Sequence, residues 1–258
     1  MEDLACVSST LSKMGKRLSV HLSPTALNEG AFDFHHYDCA SKSNCLFVNQ
    51  RMAIICLKNY KKKVSLLIYS CICDLVILER ISTFIKDGSS TRVYVFNKKP
   101  VGDETLDLVM REILGIPQYE KKTVEEIVSS VKEKSGKKLY SMIMHQLELK
   151  GITKASKRLL STSYELVDES YFLDITNQVL TALNAFEDGL YSKNGIQPDL
   201  YAMVCLDRRR SNNNKAKIRD YDYQRVTKMM DDFDGWNIDI MTKATLERIS
   251  HIVVRYNK

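Results

Sequence analysis

Turn-forming residues are scarce in this chain, with four prolines and ten glycines among 258 residues. A sandwich or barrel of many short strands needs a turn about every 8 to 12 residues, so an all-β fold is disfavoured. The chain also holds no glycine-rich phosphate loop, no G-x-S-x-G elbow, no H-E-x-x-H pair and no Cys/His set at zinc spacing. It therefore reads as a non-enzyme with no cofactor and no metal site. Cys39 and Cys45 lie near His35 and His36, but a C-x5-C spacing is not one that zinc modules favour. No apolar run reaches the roughly 20 residues that cross a bilayer. The first residues, MEDLACVSSTLSKMGKRL, begin acidic and lack a continuous apolar core, so no secretory signal is expected.

What is present points to helices. Val64 to Leu78, VSLLIYSCICDLVIL, is the most apolar stretch, and at 15 residues it is too long for an ordinary strand. A buried strand pair is the competing assignment, since Ile68, Val76 and Ile77 are β-branched; length favours the helix. A helix apolar on nearly every side must be enclosed by others. The expected fold is thus mainly α: a compact multi-helix domain around a central apolar helix, with one or two short β-hairpins. Residues 1–45, rich in Ser, His and Asn, read as a mobile tail, and 46–258 as the helical domain.

Local signals place the elements. Leu46 to Leu57 has helical spacing. Asp87-Gly88 and the alternation Thr91 to Phe96 suggest a hairpin. Asp103 is a good N-cap for a helix with Leu106, Val109, Met110 and Ile113 on one face, ended by Gly115 and Pro117. Thr123 to Glu126 form a capping box. Gly136 is expected to break that helix before a second one through Leu139, Met142, Ile143 and Leu147, which stops at Lys150-Gly151. Residues 152–167 read as a hairpin. Helices are expected at 174–187, 198–206, 220–231 and 242–256, with the basic segment 207–219 as a loop or a mobile insertion.

Seven cysteines, three of them within apolar helical patterns, suit a reducing compartment, the cytosol or nucleus. A formal charge of +6 and a pI near 8.8 suit an anionic partner, either phospholipid head groups or nucleic acid. The informative basic sets are Lys61, Lys62 and Lys63; Lys137 and Lys138; Lys154, Lys157 and Arg158; and Arg208, Arg209 and Arg210. Each is placed at a turn or helix end. His145 reads as a surface or partly buried side chain. Asp74, inside the apolar helix, requires a partner or a raised pKa, and the expected role is to cap a neighbouring helix or to pair with a base such as Arg80.

The order of elements, the ending CICDLVILERI and the segment KKPVGDETLDLVMREI, with Pro100, Gly102, Asp103, Leu106 and Asp107, resemble the Golgi phosphoprotein 3 family. The resemblance runs from about Leu46 onward. It implies a peripheral membrane adaptor on the cytosolic face of the Golgi, cytoplasmic and engaged in vesicle-mediated transport. Its implied partners are phosphatidylinositol 4-phosphate in membranes and the cytosolic tails of Golgi glycosyltransferases, which it would retain. It further implies homo-oligomerisation through the 152–167 hairpin. The implied lipid-binding residues are Lys61, Lys62, Lys63, Lys137, Lys138 and Tyr140. The family's pocket Trp and Arg are replaced here, by Tyr60 with the lysines and by Ile68. A winged-helix-like nucleic-acid-binding protein, built on Leu139 to Val167 with Lys154, Lys157 and Arg158 in the wing, is the alternative.

Overall fold

The computed structural model describes residues 46–57, 64–86, 90–115, 122–158, 161–187, 197–213 and 240–253. The N-terminal tail, Lys61 to Lys63 and the helix expected at 220–231 lie outside the described residues. Within them the chain is mainly helical with two short antiparallel hairpins, as its composition predicts. The helices are α1 (Val48–Leu57), α2 (Val64–Ile77), α3 (Glu104–Leu114), α4 (Val124–Leu149), α5 (Ser170–Glu187), α6 (Pro198–Asn213) and α7 (Ile240–Val253). The hairpins are β1 (Ile81–Lys86) with β2 (Ser90–Val95), and β3 (Thr153–Arg158) with β4 (Ser161–Leu166).

The apolar run is indeed the axis of the fold. Leu66 through Val76 are buried without interruption, and α2 is enclosed by α1, α3, α4, α6 and α7. Such a helix has no polar face to lend to solvent, so its stability comes from the packing around it. Asp74 lies in this core at 3% exposure. Its Oδ1 accepts the backbone N–H of Val48 at 2.8 Å and its Oδ2 that of Asn49 at 2.9 Å. Those are the first two N–H groups of α1, which have no partner within their own helix. Phe47, at the cap position of α1, has no side-chain acceptor to offer. Asp74 thus caps the neighbouring helix, the first of its two expected roles.

Both helices that precede a hairpin end in a Schellman motif. At the end of α4, Gly151 donates to the Glu148 carbonyl and Ile152 to that of Leu147, with Gly151 at φ +70°. At the end of α2, Glu79 and Arg80 donate to Val76 and Leu75 in the same pattern. There the left-handed position is held by Glu79 at φ +53°, where glycine is usual.

Three expectations are corrected. Gly136 does not break a helix: α4 runs unbroken from Val124 to Leu149. A Cβ at Gly136 would stand 2.9 Å from Cγ1 of Val64 at the start of α2, so glycine here permits close approach of two helices. The basic stretch after Leu206 is not a loop as far as Asn213, because α6 continues through it. Helix α5 begins at Ser170, four residues earlier than expected, where Asp168 accepts the Ser170 N–H at 2.8 Å.

Candidate functional site

The segment from Pro100 to Asp107 is a loop that closes on the helix it starts. Gly102 adopts φ +89°. The Asp107 carboxylate accepts the N–H of Val101 at 2.7 Å and of Gly102 at 3.2 Å, tying the loop back to the first turn of α3. Asp103 caps α3 through one oxygen, which accepts from Thr105 and Leu106 at 2.9 Å each. Its other oxygen accepts the Gln146 amide of α4 at 2.9 Å. Gln146 in turn accepts from the Gln50 amide at 3.0 Å, and Gln50 accepts from the Lys150 ammonium at 2.8 Å. Burial lowers the Lys150 amine from its ordinary value, and Asp103 acts against that shift. This polar relay joins α1, α3 and α4. Gly102, Asp103 and Asp107 of the family-like motif are accounted for by backbone closure and capping and Leu106 by its place in the core, and together they set the loop before α3 against α4.

That loop forms one wall of a groove of about 580 Å³. Pro100, Met110, Leu114 and Met142 supply its apolar lining, and Lys98, Arg111 and Lys138 its cations. Lys98, Arg111 and Lys138 are exposed, and no ion pair engages them among the described residues. Two acids also line the groove, Glu104 and Asp107. Asp107 is already committed to the loop N–H groups, which leaves Glu104 as the exposed acid opposite three cations. An anion with an apolar portion is the ligand that such a lining suits.

Of the residues singled out in sequence, Lys138 faces this groove. Lys137, one residue before it, is exposed on α4, about 100° further round the helix. Tyr140 lies about 200° from Lys138. It is half-buried and meets Tyr164 of β4 edge to face, with centroids 6.1 Å apart. Lys138 and Tyr140 are therefore not brought together. Lys61, Lys62 and Lys63 lie outside the described residues; Val64, the residue that follows them, packs against Gly136, the residue that precedes Lys137. Sequence reasoning missed Lys98 and Arg111. Both sit within the motif segment, Arg111 one turn beyond Asp107 and Lys98 two residues before Pro100, and that spacing was the available signal.

The second hairpin presents Lys154, Ser156, Ser163 and Glu165 on its outward face, while Ala155 and Tyr164 turn inward. Lys154 and Glu165 face each other at 3.9 Å, which offsets the local charge. The side chains of Lys157, Arg158 and Arg208 to Arg210 lie outside the described residues. His145 is exposed, with Glu148 at 3.8 Å. No helix among the described residues is long and apolar enough to cross a membrane. No family model matches this chain, and no curated protein matches it significantly.

Proposed function

We propose that this chain is a peripheral membrane adaptor that binds phosphatidylinositol 4-phosphate on the cytosolic face of the Golgi and retains glycosyltransferases there through their tails. The observation that carries the reading is the set of exposed cations, Lys98, Arg111 and Lys138, which no ion pair engages among the described residues, around one open groove with an apolar floor. A phosphorylated inositol presents several charges to a compact patch, and cations near an anionic membrane contribute roughly 1 kcal/mol each. Lys61, Lys62 and Lys63 enter the proposal through the motif resemblance alone. The motif resemblance supplies the Golgi setting and the protein tails. Self-association through the β3–β4 hairpin belongs to the same reading, and it would use the strand edge, since the outward face is polar.

Sedimentation with vesicles tests the proposal. Wild-type protein is expected to pellet with phosphatidylinositol 4-phosphate vesicles in preference to other phosphoinositides. Lys98→Ala/Lys138→Ala and Arg111→Ala are expected to weaken that binding by about tenfold, and Lys137→Ala less. Equal binding by the groove variants would move the site elsewhere. No binding to any anionic vesicle would end the membrane reading.

A further inference from the structure

The outward face of the β1–β2 hairpin and its exit carry Tyr94 and Phe96, 49% and 54% exposed. Their rings meet edge to face at 5.4 Å. The other face of the hairpin is fixed to the body of the protein. Ile81, Thr83, Thr91 and Val93 are buried, and the Thr83 and Thr91 hydroxyls donate to the Arg248 and His251 carbonyls of α7. The aromatic pair is therefore held outward by a hairpin that cannot turn it inward without breaking that anchorage. Cations border it: Lys98 and Lys99 are exposed just beyond, and the Arg248 guanidinium lies 5.4 Å from the Phe96 ring centre. With Arg80 beside them and the exposed acids Glu79 and Glu247 on the adjoining elements, positive charge predominates.

We infer that Tyr94 and Phe96 seat in the interfacial layer of an anionic bilayer while Lys98, Lys99 and Arg248 rest against its head groups, an inference that rests on the membrane reading above. Aromatic side chains flanked by cations suit that layer, where one end of a ring is apolar and the surroundings are wet and negatively charged. Area separates this occupant from a protein partner. Two half-exposed aromatic side chains offer on the order of 200 Å², about a quarter of what each partner commonly contributes to a stable protein interface. Lys98 belongs both to this edge and to the groove, so a single orientation on the membrane would present both.

The test uses the full chain with vesicles of phosphatidylcholine alone, with added phosphatidylserine, and with added phosphatidylinositol 4-phosphate. Tyr94→Ser/Phe96→Ser is expected to bind both anionic vesicles at least about fivefold more weakly than wild type, with its melting temperature nearly unchanged. In Phe96→Trp, the added indole emission, taken as the difference from wild type, is expected to shift to the blue and to be quenched by lipids labelled near the head group. Undiminished binding by the double variant, with a water-like indole in F96W, would overturn the inference and leave the head-group reading standing. Aromatic-dependent binding to both anionic vesicles without lipid preference would support the inference and remove the phosphatidylinositol 4-phosphate assignment. Failure of wild type to bind any vesicle overturns both. Self-association without vesicles that the double variant abolishes would assign the face to a second copy and overturn the inference.

Discussion

Replacing Asp74 tests the central structural argument, because one carboxyl group serves two helices from inside the core. In Asp74→Ala the N–H groups of Val48 and Asn49 lose their acceptors, and both residues are buried. An unsatisfied buried donor costs about 1–3 kcal/mol, so the pair together predicts a loss of about 2–6 kcal/mol. Asp74→Asn keeps one acceptor oxygen but turns an NH2 group toward the second N–H, and is expected to fall between Ala and wild type. The carboxyl also has a pH signature. Burial pushes its pKa from the ordinary 3.8 up to about 8, with Asp103 adding to the rise, while the two backbone donors and Arg51 oppose it.

A carboxyl whose folded pKa lies above its unfolded value binds more protons folded than unfolded across that interval. Its contribution is fully present below pH 3.8 and is lost as pH rises toward 8. The slope has a ceiling of about 1.4 kcal/mol per pH unit. Urea unfolding of wild type and Asp74→Asn at several values between pH 5.5 and 8.5 measures it. Wild type is expected to weaken with rising pH more steeply than the variant. Parallel pH dependences would show that the donors win over burial and the carboxylate is already charged in the core. A loss below about 0.5 kcal/mol in Asp74→Ala would refute the capping role itself.

Other outcomes follow from single features. Glu79→Gly is expected to raise stability by about 1 kcal/mol, by removing a side chain from a left-handed position, and a thermal melt reads it. Gly136→Ala is expected to lose stability despite the roughly 1 kcal/mol gain in helix propensity, because the new methyl meets Val64 Cγ1; adding Val64→Ala should restore the gain. Asp103→Ala removes the α3 cap and the Gln146 partner, with an expected cost of about 1–3 kcal/mol in urea unfolding. Cys56, Cys71, Cys73 and Cys205 are buried thiols and should resist a thiol reagent until denaturant is added, with Cys71 further protected because burial raises its pKa.

The mainly helical fold was legible in the residues because its signals are local. The length of the apolar run from Val64, the Asp103 cap, the Thr123–Glu126 capping box and the Lys150-Gly151 stop each act within a few residues of where they stand. The Gly136 misreading arose where a distant element supplied the reason. Gly136 looks like a helix breaker in isolation, yet it is the contact point for Val64, 72 positions earlier in the chain. Among the described residues α1 is capped by no neighbour in sequence, and its acceptor is Asp74, reached only after the chain has folded back. For the candidate site, sequence alone determined that lysines and an acidic loop motif were present, and it marked Lys138. Tertiary structure decided their grouping: packing α3 against α4 brings Lys98 and Arg111 to Lys138, while helical geometry turns Tyr140 toward the hairpin. Charge near a turn is a property of the chain, but convergence of charge depends on which helix faces pack, and that choice is made by the buried apolar side chains on the opposite faces.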